Sequence, residues 1–232
     1  MNIWALSDPH LSFRRPKPMH VFGEGWRNHW EKIARGWCAR VAPEDVVLVT
    51  GDISWGRRFE HALPDLAWLA ALPGRRKLIV RGNHDHWWPE SPAQHASLPA
   101  SLHLLEGDAV RIGGHAFCGT GGWLSPTDPY FDALDEKPYR RELAALERAL
   151  TRGAALAAEA LHVLVHFSPY TSRGLPTAFD RLLRRFPVRT VTYGHFHFRQ
   201  EWAVAPLGLV EGIHYQLASA DFIDFAPVRL PT

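Results

Sequence analysis

Five short clusters of polar side chains stand out in this 232-residue sequence because each one directly follows a run of apolar residues. They contain carboxylates, an amide and imidazoles but no thiol, and they are Ser7-Asp8-Pro9-His10, Gly51-Asp52, Gly82-Asn83-His84-Asp85, His166 and Gly194-His195-Phe196-His197. Asp8 and His10 stand two residues apart, as do His195 and His197, and this spacing lets both side chains of a pair reach one point from an extended loop. Glycines that precede three of the clusters permit close approach of the backbone.

These side chains have the chemistry of ligands for divalent metal ions. Oxygen and imidazole donors without sulfur suit ions of hard to borderline character, and among these we expect Mn²⁺ or iron, with Zn²⁺ as the alternative. Seven such donors are too many for one ion that must also bind water or substrate. We therefore predict two ions, because a pair about 3.5–4 Å apart can hold both the attacking and the leaving oxygen of an in-line displacement. This arrangement indicates hydrolysis of phosphate esters.

The apolar runs predict buried β-strands, and the segments between them predict helices. Strands are expected at residues 2–6, 46–50, 77–80, 162–165 and 189–193. Apolar residues at spacings of three and four predict four helices, with the stripes Trp26-Trp30-Ile33-Trp37-Val41, Leu63-Leu66-Ala70, Leu143-Leu146-Leu150 and Phe179-Leu182-Leu183-Phe186. Gly153 is expected to interrupt or end the third helix. A hairpin over 107–119 and a strand pair at 207–211 and 214–218 complete the pattern.

The alternation of strands and helices predicts an α/β fold with mixed sheets. In open α/β sheets, ligand sites form beyond the carboxyl ends of the strands, where loops from several strands converge. The five polar clusters follow the five predicted strands, so they are expected to meet at one edge of the sheet structure. The strand order therefore gives the predicted metal site its location.

Composition excludes several classes of protein. Hydrophobic residues make up 46% and charged residues 22% of the chain, which excludes intrinsic disorder. No apolar run approaches the roughly 20 residues that span a bilayer, and the amino-terminal residues are typical of a strand rather than a signal sequence, so we expect a cytoplasmic protein without a membrane partner. Two cysteines without CxxC spacing exclude a zinc–thiolate site. A net charge of +2 gives little reason to expect nucleic acid as a partner.

The ordered clusters resemble the calcineurin-like metallophosphoesterases. The pattern of that family is DxH, GD, GNH followed by an acid, H and GHxH, and this sequence matches it in order from Asp8 to His197. Five blocks in the same order are far more specific than any one of them alone. The resemblance implies a four-layer αββα sandwich, in which two mixed β-sheets are flanked by helices, as one domain over residues 1–232.

The resemblance also implies a role for each motif residue. Six of them would divide between two ions, with Asp8, His10 and His197 at one ion and Asn83, His166 and His195 at the other. Asp52 would bridge the two ions, and the nucleophile would be a hydroxide that bridges them. His84 would contact the scissile phosphate and help to protonate the leaving oxygen, while Asp85 would orient and stabilise the His84 imidazolium.

Residues beside the motif loops are candidates for contact with a small phosphorylated substrate. Arg57 and Arg81 flank the motifs and have the side chain that best pairs with phosphate oxygens. His86 follows the GNHD block and is expected either to face the cleft or to pack in the core. Residues 121–139 form a long irregular segment with several aromatic residues, among them Trp123. Such a segment is typical of a lid or substrate loop, although its aromatic residues could equally anchor it to the core.

We therefore predict a metal-dependent phosphohydrolase that acts on a small metabolite or a nucleotide, as a phosphomonoesterase or a phosphodiesterase. The segment after Asp52 lacks the second acidic residue of the GDxxDRG signature of protein serine/threonine phosphatases, which disfavours a protein substrate. Two alternatives are a non-catalytic metal-binding interaction module of the same fold and a nuclease. The complete motif set, including His84, disfavours the first alternative, and the small net charge disfavours the second.

Overall fold

Two mixed β-sheets form the centre of the structure, a computed structural model that describes residues 1–231. Thr232, the last residue of the predicted domain, lies outside the described range. The parallel strands of the first sheet are β1 (Ile3–Leu6), β2 (Val46–Val49), β3 (Arg76–Ile79) and β4 (Leu102–Leu104). A short strand, β11 (Val228–Arg229), pairs antiparallel with β1, which gives the order β11-β1-β2-β3-β4.

The second sheet has six strands and the same mixed character. Its parallel strands are β6 (His115–Thr120), β7 (Ala160–Val165), β8 (Val188–Tyr193) and β10 (Ile213–Leu217). Antiparallel strands close its two edges, namely β5 (Asp108–Ile112) and β9 (Gly208–Val210). The predicted hairpin is therefore β5 and β6, and the predicted strand pair near the C-terminus is β9 and β10.

Helices cover the outer face of each sheet. Four of them pack in this way, with α1 (His29–Cys38) and α2 (Phe59–Ala71) on the first sheet, and α4 (Glu136–Ala155) and α5 (Ala178–Leu183) on the second. Two shorter helices are α3 (Pro92–Ala96) and α6 (Arg199–Trp202), and 3₁₀ turns occupy Met19–Phe22 and Glu24–Trp26. The two sheets bury a separate apolar layer between them, which includes Leu48, Phe117 and Leu164. The predicted four-layer αββα sandwich is confirmed.

The strand sequences are apolar because both faces of each central strand are covered. All four residues of β2, Val-Val-Leu-Val, are fully buried, with Val47 and Val49 toward the helices and Val46 and Leu48 toward the other sheet. Continuous apolar runs are typical of parallel strands that lie between two layers. The same burial explains why the sequence located these strands within two residues of their observed limits.

Three sequence expectations about the helices were wrong in detail. Trp26 lies in a 3₁₀ turn before α1, and Trp30, expected in the apolar stripe, is 38% exposed. Gly153 neither interrupts nor ends α4 but lies inside it, because the helix approaches β7 so closely that a Cβ atom there would come within 2.7 Å of Leu161 Cδ1. Helix α4 begins at Glu136, so the irregular segment is shorter than the predicted 121–139.

Two buried charged residues secure the first sheet. The Asp45 carboxylate, just before β2, accepts hydrogen bonds from the Asn2 backbone (2.6 Å), the Trp4 indole (2.8 Å) and the Ala42 backbone (3.1 Å). The Lys77 ammonium donates to three carbonyl groups at the end of α2 and in the turn that follows it, including that of Leu72. Among the described residues, no helix is both long enough and apolar enough to cross a membrane.

Candidate metal centre

The predicted metal ligands come from both sheets and meet at the carboxyl ends of their strands. Three of them follow strands of the first sheet, namely Asp8, Asp52 and Asn83, and His10 lies in the same loop as Asp8. The other three, His166, His195 and His197, follow strands of the second sheet. The sheets are joined at this edge, because the Ser7 N–H donates to the Ala218 carbonyl at 2.7 Å. The topology therefore brings together loops that are far apart in the sequence.

Asp8, His10 and His197 form one cluster, as the sequence predicts. Their donor atoms lie within 4.8 Å of one another, and His197 Nε2 is 3.5 Å from Asp8 Oδ1. His197 Nε2 is buried and has no hydrogen-bond partner among residues 1–231. An unpartnered buried nitrogen is costly, and a metal ion would supply the missing partner. The donor set and this orphaned nitrogen fit a divalent ion.

Asn83, His166 and His195 form the second cluster. Asn83 Oδ1 lies 2.8 Å from His166 Nε2 and 3.1 Å from His195 Nδ1. Ligand atoms bound at about 2.0–2.2 Å at right angles around one ion stand about 3 Å apart, so these distances suit a shared ion. The three side chains that the sequence assigned to one ion are therefore brought to one place.

Asp52 lies between the two clusters. Its Oδ2 atom is 3.6 Å from His166 Nε2 and 3.8 Å from His10 Nε2, while Oδ1 accepts the His84 N–H at 2.8 Å. One carboxylate oxygen thus faces a member of each cluster. This is the position that a bridging ligand requires, and the bridging role itself stays a prediction.

Hydrogen bonds fix the orientation of two of the histidine rings. His166 Nδ1 donates to the Thr50 carbonyl at 2.8 Å, which leaves Nε2 with its lone pair toward Asn83 and Asp52. His197 Nδ1 is 2.9 Å from an Asp221 oxygen, which leaves Nε2 toward Asp8. Asp221 was not predicted from the sequence, because it belongs to none of the motifs and follows strand β10 by four residues.

Burial sets the charge of the candidate ligands. Desolvation lowers the pKa values of His10, His166 and His195, so these rings stay neutral and keep a lone pair for a metal. Burial also raises the pKa of Asp52, and the nearby charges of Asp8 and Asp85 raise it further. A pair of divalent ions would offset this clustering of carboxylates.

His197 and Asp8 behave differently because they contact each other. Burial alone would raise the pKa of Asp8, but the neighbouring His197 imidazole, 3.5 Å away, outweighs burial and lowers it. Burial alone would lower the pKa of His197, but its hydrogen bond to Asp221 and the negative charge of Asp8 raise that pKa well above its usual value. Each of the two groups therefore favours the charged form of the other.

The backbone of the motif loops adopts conformations that most residues avoid. Asp8, His10, Asp52 and His195 have positive φ angles of 56°, 45°, 51° and 70°. The left-handed region is sparsely populated by residues other than glycine, and such strain concentrates at functional sites. Gly82 is required for a different reason, because a Cβ atom there would lie 2.1 Å from Asp52 Oδ1.

His84 lies at the rim of the centre, and the Asp85 carboxylate makes no hydrogen bond to its ring. The His84 ring is half-buried, 4.4 Å from the Trp55 ring, and burial lowers its pKa to about 4. Asp85 is fully buried and accepts hydrogen bonds from the backbone of Ile53, Ser54 and Gly82 and from the Trp87 indole. The predicted orienting contact with His84 was therefore wrong, because the carboxylate turns inward and ties the loops after β2 and β3 together.

The four candidate substrate contacts lie in different places. His86 and Arg57 are exposed and line a cavity of about 1180 Å³ beside the metal centre. The Arg81 side chain is turned toward the motif loop, where Nε donates to the Asp85 carbonyl at 3.1 Å. Trp123 is half-buried, packs 5.0 Å from the Phe167 ring and donates its indole N–H to Asp135.

The irregular segment 121–135 lies beside the metal centre. The Trp123 ring packs against that of Phe167, which in turn stands 4.2 Å from that of His195. Together with these residues, the segment lines a smaller cavity of about 180 Å³. Its aromatic residues thus pack against the site, and a role as a lid stays a prediction.

Comparisons with known proteins agree with this architecture. The chain is 30% identical over 123 residues to the gene 66 protein of Mycobacterium phage L5, and 37% identical over 90 residues to the gene 66 protein of Mycobacterium phage D29. These matches span 58% and 42% of the two phage proteins, less than two thirds of either.

Two solved structures share the fold at low sequence identity. A protein of unknown function from Aquifex aeolicus is 15% identical, with a TM-score of 0.51 over 98% of this chain and 95% of that one. Sulfate thiohydrolase SoxB from Thermus thermophilus is 14% identical, with a TM-score of 0.52 over 95% of this chain and 52% of that one. The family model for calcineurin-like phosphoesterases matches residues 1–199, the range that holds all seven predicted ligands. The chain belongs to the calcineurin-like phosphoesterase family.

Proposed function

We propose that this protein is a phosphohydrolase that uses two divalent metal ions to hydrolyse phosphate monoesters or diesters of a metabolite or a nucleotide. The observation that carries the proposal is the pair of donor clusters on either side of Asp52. When bound, the ions would polarise a phosphoryl oxygen and activate water for attack. Mn²⁺ or iron suits the oxygen and imidazole donors, with Zn²⁺ as the alternative.

The chain's own residues would hold the ions, orient the phosphate and protonate the leaving oxygen. Asp8 and Asp52 supply negative charge to two ions, which leaves the loaded centre positive and attractive to phosphate. His84 Nε2 stands 3.9 Å from Asp52 Oδ2 at the half-exposed rim, where it can reach a phosphate oxygen. The negative charge of a bound phosphate favours the protonated form of His84, which can then donate its proton to the leaving oxygen.

The test is hydrolysis of p-nitrophenyl phosphate and bis-p-nitrophenyl phosphate by the protein loaded with Mn²⁺. We expect turnover of at least one ester, and we expect Asp52→Asn to lower kcat by 100-fold or more and to reduce bound manganese below two equivalents. The reason is that the amide cannot supply the charge that two ions share. Glu31→Gln, an exposed acid on α1, is the matched control and should leave both readouts unchanged.

Two results would reject the proposal. Absence of hydrolysis across both nitrophenyl esters and a broad panel of natural phosphate esters would favour the alternative of a non-catalytic metal-binding module. Two full equivalents of manganese in Asp52→Asn would show that this residue does not bridge the ions.

A further inference from the structure

A wide groove lined by basic residues lies next to the metal centre. The cavity of about 1180 Å³ is formed by residues 12 and 14–17, residues 55–58, and side chains from α2 and the loop after β3. Its walls carry five cationic side chains, which are Arg14, Arg15, Lys17, Arg57 and Arg58. Typical sites for small ligands enclose about 300–1,000 Å³, so the groove has room for more than one small molecule of that class.

The five cations are not neutralised by the protein. Among residues 1–231, none of them forms an ion pair with a carboxylate, and the four arginines make no side-chain hydrogen bond. Within residues 1–231, Asp65 is the one acid on the groove wall, and its carboxylate is buried and bonded to the Ser54 hydroxyl and the Phe13 N–H. Without these five residues the rest of the chain is net negative, so the net charge of +2 conceals a strongly positive region.

Trp55 forms the wall that the groove shares with the metal centre. Its ring stacks 5.1 Å from that of His10 and lies 4.4 Å from that of His84. The Lys17 ammonium lies over the Trp55 ring, 2.8 Å from its centroid. His86, two residues after His84, lines the groove as well. A ligand in the groove is therefore adjacent to the position of the scissile phosphate.

We propose that this groove binds the phosphodiester backbone of a single nucleic-acid strand that leads into the metal centre. The inference rests on the proposed function for its metal-dependent hydrolysis of phosphodiesters, and it replaces the small substrate by a nucleic-acid strand. Unpaired guanidinium groups on two loops suit successive phosphates. His10 and Lys17 already pack against the Trp55 ring, so that ring offers no open platform for a base, and binding is independent of base sequence.

A strand fits these observations better than a duplex or a compact polyphosphate. The candidate metal ligands are mostly buried, so the scissile phosphate must turn in from the groove, which a flexible single strand can do and a stiff duplex cannot. A nucleoside triphosphate is compact, whereas the cations are distributed along two separate loops. Net charge alone disfavours nucleic acid; the local distribution of charge reverses that expectation.

Binding can be measured without catalysis. Fluorescein-labelled oligothymidylate is titrated with the full chain in EDTA, and anisotropy is followed at several salt concentrations. For single strands, log K falls with log salt by about 0.7 for each phosphate contacted. The double variant Arg57→Gln/Arg58→Gln should therefore show a slope shallower by about 1.4 and at least tenfold weaker binding at low salt. Arg35→Gln/Arg40→Gln removes the same charge from exposed sites that do not line the groove and should bind like the wild type.

Three outcomes would overturn the proposal. If Arg57→Gln/Arg58→Gln bound oligothymidylate with wild-type affinity, the groove would not be the binding site. Competition by thymidine triphosphate at the same concentration as unlabelled oligothymidylate would assign the groove to a compact polyphosphate. Tighter binding of duplex DNA than of the single strand would reject a single strand as the occupant.

Hydrolysis provides a separate readout. With Mn²⁺ bound, the groove variant should lose at least tenfold more kcat/KM on an oligonucleotide than on bis-p-nitrophenyl phosphate, and equal losses on both would count against the groove. If the loaded wild type hydrolyses no ester at all, the proposed function fails while the anisotropy result still stands. Failure of the groove and failure of the proposed function are therefore distinguishable.

Discussion

His197 lies between two carboxylates that have different tasks. Asp8 faces its Nε2 atom inside the centre, and Asp221 faces Nδ1 from behind, at 2.9 Å. An acceptor on the far nitrogen of a ligating histidine fixes the tautomer and makes the ring a better donor. Asp221 is therefore a positioning residue, which acts on the metal through His197.

Replacement of Asp221 by Asn should weaken one of the two ions selectively. The amide oxygen can still accept from Nδ1, but the negative charge that strengthens His197 as a donor is lost. We expect a 10–100-fold lower affinity for that ion, the usual effect of removing such a partner. Calorimetric titration with Mn²⁺ measures both affinities, and Glu31→Gln serves as the control. If the Mn²⁺ affinities at both metal positions were unchanged, Asp221 would have no role in metal binding.

At the scale of elements, the sequence predicted the parts of the fold that depend on burial. Central strands such as β2 were found because parallel strands between two layers must be apolar throughout. The strands β4 and β11 were missed because they are two or three residues long and lie at sheet edges, where few apolar residues are required.

The same division holds for the candidate site. Residues that supply donors carry a motif, because the donor type and its spacing are fixed by the chemistry. Partners such as Asp221 were missed because any acid that reaches the ring would serve, whatever its position in the sequence. The inward turn of Asp85 was missed because residue type does not reveal which of several N–H groups a carboxylate accepts.

Asp45 allows a test of how the first sheet is secured, because it joins β1 to the residues before β2. Although burial opposes this, hydrogen bonds from Asn2, Trp4 and Ala42 hold the pKa of Asp45 below its usual value. The charged form is thus favoured by folding. Its stabilising effect is present above the pKa of the unfolded chain, about 3.9, and is lost as pH falls through the lower folded value.

We therefore expect Asp45→Asn to lower the free energy of unfolding by about 1–3 kcal/mol at pH 7. The difference from the wild type should shrink as pH falls below about 4, because the wild-type carboxylate then becomes protonated. Urea unfolding at several pH values measures both effects, with the exposed neighbour Glu44→Gln as the control. A difference that does not change with pH would show that the charge of Asp45 is not the cause.

For the whole molecule, the candidate metal centre lies where the two sheets meet, beside the hydrogen bond from Ser7 to Ala218 and the apolar layer between the sheets. The donors Asp8, Asp52 and Asn83 belong to loops of the first sheet, and His166, His195 and His197 belong to loops of the second. Ions that bind all six would hold the two halves together. Because the unfolded chain does not assemble these donors, ion binding should stabilise the folded state.

Mn²⁺ at 100 times its dissociation constant should raise the free energy of unfolding by about 2.7 kcal/mol. For a chain of this size that corresponds to a rise in Tm of roughly 5–10 °C. Thermal unfolding followed by circular dichroism measures the shift, which excess EDTA should reverse and Asp8→Asn should reduce. An equal shift in Asp8→Asn would mean that the ions bind elsewhere.

The pairing of β1 with β11, and of His197 with Asp221, has a consequence for how the protein is made in the cell. Until synthesis has passed Arg229 the first sheet lacks the edge strand β11, and until it has passed Asp221 His197 lacks its supporting acid. A partly synthesised chain therefore presents several aspartates and histidines without a finished pocket for them. The candidate site would therefore reach its full affinity for cations only once Asp221 has been synthesised, 24 residues after His197.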